Sequence, residues 1–77
     1  MAISTDWWKV EAIGTNGAIC TVIVEENESA AEEFVAYELR KRVFGSEEPW
    51  FEKNVRTGKW ERVLDYVASP YDEAEDP

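Results

Sequence analysis

The segment Gly14-Thr15-Asn16-Gly17 constrains the fold of this chain most strongly, because an apolar run lies on each side of it. Asn-Gly is a preferred pair at the centre of a type I′ turn, in which both central residues need positive φ. Residues 7–13 and 18–24 are therefore predicted to be the two strands of a β-hairpin, with Asn16 and Gly17 at the centre of the turn.

The predicted hairpin carries apolar side chains on both faces, since successive residues of a strand point to opposite sides. Its opposed pairs are Thr15–Ala18, Ile13–Cys20, Val10–Ile23 and Trp8–Glu25. One face holds Trp8, Val10, Ala12, Ile19, Thr21 and Ile23, and the other holds Trp7, Lys9, Glu11, Ile13, Cys20, Val22 and Val24. A single small domain needs only one covered face, so the second apolar face indicates a partner surface.

A helix is predicted over residues 29–44. Ser29 and Glu32 match a capping box, and Asn27 is a rival N-cap. Acidic residues lie at the start of this segment and basic residues at its end, as the helix dipole favours, and Gly45 is a suitable C′ residue.

The apolar residues of this helix fall on two arcs rather than one. One arc holds Ala31, Val35, Ala36, Leu39 and Val43, and the other holds Ala30, Phe34, Tyr37 and Phe44. Glu38 and Arg42 lie between the arcs at the i,i+4 spacing of an ion pair. One arc can pack on the hairpin, while the second is predicted to be covered within the domain or by a second copy of the chain.

Residues 46–69 fit two structures. The favoured one is a second hairpin of Trp50–Val55 with Trp60–Val67 around Thr57-Gly58, because aromatic residues and Val are enriched there. Its shared face would hold Phe51, Val55, Trp60, Leu64 and Tyr66, with Trp60 as a core residue. The alternative is a helix, since Trp60, Val63, Leu64 and Val67 have helical spacing.

These elements predict a single α+β domain over residues 1–70, in the order β-β-α-β-β, with one helix packed on an antiparallel sheet. Residues 71–77 are predicted to be a flexible acidic tail. The second apolar surface predicts a homodimer or partner contact through Trp7, Phe34, Tyr37 and Phe44.

Composition argues against an enzyme. The 77 residues include no His and one Cys, which excludes His-dependent triads, Cys-rich zinc sites and an intramolecular disulfide. No EF-hand spacing is present, so neither a metal site nor a cofactor is expected. The N-terminus lacks the basic and apolar regions of a signal peptide, and no apolar stretch is long enough to cross a bilayer, so we expect a cytoplasmic protein.

Charge is unevenly distributed along the chain, whose net charge is −9. Residues 1–39 hold eight acidic residues and one base, whereas residues 40–62 hold seven bases and four acidic residues. The densest acidic cluster consists of Glu25, Glu26, Glu28, Glu32, Glu33 and Glu38. The acidic balance disfavours direct binding to nucleic acid or to an anionic membrane.

A carboxylate array of this density predicts a potential resembling that of DNA. In size and charge, the chain is similar to phage host-takeover and inhibitor proteins. We therefore expect a binding protein that inhibits a basic nucleic-acid-binding protein by DNA mimicry, acting in the host cytoplasm if a phage encodes it. The expected partners are a nucleoid-associated protein, a polymerase or a nuclease. The alternative is an assembly module that docks through its apolar aromatic residues.

Overall fold

Five strands and one helix form the described part of the computed structural model, residues 7–45 and 47–71. In chain order they are β1 (Trp8–Gly14), β2 (Gly17–Glu25), α1 (Glu28–Glu38), β3 (Phe51–Lys53), β4 (Trp60–Arg62) and β5 (Asp65–Pro70). A π-helical segment, Leu39–Val43, continues α1. Antiparallel sheets with one helix confirm the predicted α+β class, and the structure adds a strand to the predicted order.

The first hairpin forms as predicted, but its turn lies one residue earlier. Gly14 pairs with Gly17, so Thr15 and Asn16 are the central residues. Among the described residues only glycines have positive φ, and Gly17 has a φ of 109°. Asn16 therefore does not form a type I′ turn. Gly17 adopts the positive φ instead, since glycine has no Cβ to clash in that conformation.

Two bulges in β2 compensate for the earlier turn. Register shifts occur between Val10 and Glu11 and between Ala12 and Ile13. Each shift adds one unpaired residue to the longer strand, as a β-bulge does. At the far end the predicted pairs Trp8–Glu25 and Val10–Ile23 are confirmed, whereas Ile13 lies opposite Ala18 and not Cys20.

The segment predicted as one strand, Trp60–Val67, is divided between two sheets. β4 pairs with β3 in a two-stranded ribbon, and β5 pairs with β1 to complete a sheet of order β2-β1-β5. At the junction the Leu64 amide donates to the Ile13 carbonyl at 2.7 Å. The helical alternative for this segment is therefore wrong, because its backbone pairs with two different strands.

The core lies between α1 and the three-stranded sheet. Its buried side chains are those of Val10, Ala12, Ile19, Ala31, Val63 and Tyr66. The prediction of Trp60 as a core residue is wrong: it is 66% exposed, and Phe51, Val55 and Leu64 are also exposed. Only Tyr66 of the predicted shared face is buried, because it lies in β5, which pairs with β1 and not with the ribbon.

The helix begins at the rival cap. The Asn27 side chain accepts a hydrogen bond from the Ala30 amide at 2.8 Å, so Asn27 and not Ser29 is the N-cap. Gly45 does not have positive φ, so it is not the left-handed C′ residue that was expected. A Cβ at Gly45 would collide with the Arg40 carbonyl oxygen, and this close approach accounts for the glycine.

The predicted acidic tail, 71–77, lies outside the described residues except for Tyr71. The Tyr71 amide donates to the Trp7 carbonyl at 3.0 Å, which extends the pairing of β5 with β1 by one bond.

Candidate partner-binding surfaces

Five of the predicted acidic residues lie together where β2 ends and α1 begins. Glu25 is half-buried, and the other four are exposed. We call this set the acidic surface; it consists of Glu25, Glu26, Glu28, Glu32 and Glu33. Glu28 also lies in the first turn of α1, where a carboxylate interacts favourably with the helix dipole.

No described base neutralises the acidic surface. The ion pairs among residues 7–45 and 47–71 join Lys9 to Glu11 at 3.9 Å and Arg42 to Glu38 at 2.7 Å. Neither pair includes a residue of the acidic surface. Its carboxylates are therefore free to interact with cations of another molecule.

The structure separates Glu38 from this surface. Glu38 is 3% exposed, and its carboxylate pairs with the Arg42 guanidinium, as the i,i+4 spacing predicted. The guanidinium also stacks over the Trp50 ring at 4.4 Å. Because this carboxylate lies inside the domain, Glu38 cannot contact a partner and does not belong to the predicted partner-binding face.

Basic residues lie at the opposite end of the sheet, beside the hairpin turn. The Arg56 guanidinium approaches the Ala18 carbonyl at 3.4 Å, and a Cβ on Gly14 would lie 3.2 Å from the Arg62 carbonyl oxygen. Ala18 and Glu25 are seven residues apart in β2, which corresponds to about 20 Å at the rise of a strand. The charge asymmetry of the sequence is therefore also a spatial separation.

The ribbon of β3 and β4 has two different faces. Its register pairs Phe51 with Arg62, Glu52 with Glu61, and Lys53 with Trp60. Alternation along both strands then places the exposed side chains on one side and the half-buried carboxylates on the other. We call the exposed set the ribbon face; it consists of Phe51, Lys53, Trp60 and Arg62.

The two carboxylates on the other side of the ribbon are held by local hydrogen bonds. The Glu52 carboxylate accepts a hydrogen bond from the Trp50 indole, and the Glu61 carboxylate accepts one from the Asn54 amide, both at 3.0 Å. These bonds offset the repulsion between directly opposed acidic residues. They also keep both carboxylates off the ribbon face, which is basic and aromatic. In each strand an aromatic residue and a basic residue stand two positions apart, and this spacing was the sequence signal for the ribbon face.

The four residues of the predicted apolar site differ in their exposure. Phe34 packs against the core, while Trp7, Tyr37 and Phe44 are 43%, 56% and 76% exposed. Trp7 lies beside the β1 end that pairs with Glu25. Three of the four side chains are therefore exposed, and the fourth packs against the core.

Cys20 has the character of an inert thiol. Burial raises its pKa, and the carboxylates of Glu52 and Glu11 raise it further. A raised pKa disfavours the thiolate, which is the nucleophilic form. In the described ranges, no group of three or more His, Cys, Asp and Glu residues could hold a metal ion. No helix in the same ranges is long and apolar enough to span a membrane.

Comparison with protein-family models gave no match, and neither did comparison with curated proteins or with solved structures.

Proposed function

We propose that this chain binds the basic, nucleic-acid-binding surface of another protein through its acidic surface and thereby competes with nucleic acid. The observation that carries the proposal is the group of carboxylates without described ion-pair partners, located about 20 Å from the basic ribbon end. Glu28 and Glu32 are four residues apart in α1, so their Cβ atoms are about 5–6 Å apart. DNA presents one phosphate per about 3.4 Å of axis on each strand.

This charge arrangement favours a particular class of partner. A nucleoid-associated protein, a polymerase or a nuclease presents closely spaced Lys and Arg residues that bind phosphates. The acidic surface would attract such a cationic surface during diffusion and raise the association rate. Occupation of the cationic surface would then inhibit binding of nucleic acid.

Charge reversal at Glu32 and Glu33 tests the proposal. Immobilised chain is incubated with nuclease-treated bacterial lysate and eluted with a salt gradient. We expect DNA-binding proteins to be retained and to elute as salt screens the contact. The variant Glu32→Lys/Glu33→Lys should lose them, with affinity reduced at least about tenfold, which corresponds to 1.4 kcal/mol.

A matched control uses Glu47→Lys/Glu48→Lys, which changes the net charge equally at exposed positions outside the acidic surface. This variant should retain the captured proteins, provided that circular dichroism shows it folded. Capture that survives both high salt and the Glu32→Lys/Glu33→Lys change would contradict the proposal. That result would favour the alternative, an assembly module that docks through apolar residues.

A further inference from the structure

The two ends of the molecule carry opposite and exposed charges. The acidic surface lies at the end of β2, and the ribbon face lies beside the hairpin turn. Neither of the ion pairs Lys9–Glu11 and Arg42–Glu38 includes Lys53 or Arg62 of the ribbon face. One chain therefore presents both halves of a complementary pair of surfaces.

The ribbon face also has the aromatic content of a protein-binding surface. Trp60 is 66% exposed and Phe51 is 47% exposed. Each ring has a cation directly across the ribbon, since Lys53 pairs with Trp60 and Arg62 pairs with Phe51. Trp and Arg are enriched in the residues that contribute most to protein interfaces. Burial of the two rings would add an apolar contribution to the charge attraction.

The net charge of −9 does not prevent two copies from meeting in this way. At physiological salt the Debye length is about 8 Å. The two ends are about 20 Å apart along β2, so each end is largely screened from the other. The local charges at the contact therefore decide the interaction.

We infer that the ribbon face of one copy docks on the acidic surface of a second copy. The inference rests on the proposed function in that both use the acidic surface. A copy docked there would exclude the proposed basic partner, so self-association and partner binding compete. Dilution would release the acidic surface, and partner binding would shift the chain toward the monomer.

Sedimentation velocity of the full chain tests this inference. In about 0.15 M salt the weight-average mass should rise with concentration, and in about 1 M salt, where the Debye length is about 3 Å, it should fall toward the monomer. Two neutralised variants, Glu32→Gln/Glu33→Gln and Lys53→Gln/Arg62→Gln, should each weaken self-association at least about tenfold.

Mixing the two variants is the decisive step. Glu32→Gln/Glu33→Gln keeps its ribbon face, and Lys53→Gln/Arg62→Gln keeps its acidic surface. In a mixture the ribbon face of the former can dock on the acidic surface of the latter, so the weight-average mass should exceed that of either variant alone. Monomer at all concentrations of the wild-type chain in about 0.15 M salt would overturn the inference. Absence of recovery on mixing would overturn it as well.

The same variants separate this inference from the proposed function. Lys53→Gln/Arg62→Gln should still capture the basic partner, since its acidic surface is intact. Capture without self-association would refute the inference alone, and self-association without capture of a DNA-binding protein would refute the proposed function alone.

Discussion

Replacement of Arg42 by Ala should lower the free energy of unfolding by about 3 kcal/mol, because it leaves a buried carboxylate without its cation. The Glu38 side chain is 4% exposed, and its carboxylate lies 2.7 Å from the Arg42 guanidinium. The substitution also removes the stacking of the guanidinium over Trp50 at 4.4 Å, a smaller contribution of about 0.5–1 kcal/mol at a partly exposed site. Urea denaturation measures the loss as a lower midpoint at unchanged slope.

Lys41→Ala provides the matched control for this prediction. Lys41 is the neighbouring exposed cation, and its ammonium lies 5.2 Å from the centre of the Tyr37 ring. Its replacement should cost less than about 1 kcal/mol, since an exposed cation–π contact contributes little. The double variant Glu38→Met/Arg42→Met should recover most of the stability, because apolar side chains of similar volume leave neither a buried charge nor an unpaired polar group. Equal effects of Arg42→Ala and Lys41→Ala would contradict the buried-pair account.

Tyr66→Ala is expected to have a comparably large effect, lowering the free energy of unfolding by about 3–5 kcal/mol. Tyr66 lies in β5 and is 2% exposed within the core. Its ring fills the space between the sheet and α1, so truncation leaves a cavity. Tyr66→Phe keeps the ring and removes a buried hydroxyl that makes no well-formed hydrogen bond to the described residues, so it should change stability at neutral pH by about 1 kcal/mol or less.

The pH dependence of Tyr66 gives this prediction a second readout. Burial raises the Tyr66 pKa above its ordinary value of 10.0, although interaction with Arg42 acts in the opposite direction. Above pH 10.0 the unfolded chain therefore loses the phenolic proton before the folded chain does, and stability falls as pH rises. As pH rises over this range, the free energy of unfolding of the wild type should therefore fall more than that of Tyr66→Phe. Parallel stability curves for the two proteins above pH 10.0 would contradict the shift.

The elements that the sequence predicted correctly have local causes. The hairpin follows from two apolar runs around a Gly-containing turn, and the helix from a capping residue and the order of its charges. The turn itself was placed one residue late, because Asn16 can in principle take positive φ and only the glycine beside it does so. The two bulges in β2 then restore the predicted pairing at the far end of the hairpin.

The elements that the sequence did not predict depend on distant contacts. Val63 follows β4 directly and is buried, whereas Trp60 begins the same strand and is exposed. The difference arises because the chain changes partner at Val63: its amide still donates to the Trp50 carbonyl, whereas the next residues bond to β1, about fifty residues earlier in the chain. Residue spacing within 60–67 contains no information about that partner strand.

The candidate site was predicted in part. Exposed positions for four residues of the acidic surface follow from their place at a strand end and in the first turns of a helix. Glu38 differs because it lies on the buried side of the helix. Its carboxylate pairs there with half-buried Arg42, four residues later. The ribbon face required the register of β3 with β4, which places Phe51, Lys53, Trp60 and Arg62 on one side.

Competition for the captured DNA-binding protein tests the central claim most directly. That protein is first saturated with a fluorescently labelled DNA duplex, and the chain is then titrated while the anisotropy of the duplex is measured. We predict that the anisotropy falls to the value of free duplex, and that Glu32→Lys/Glu33→Lys displaces the duplex at least about tenfold less effectively. A ternary complex, in which the duplex and the chain are bound to the same protein together, would contradict DNA mimicry.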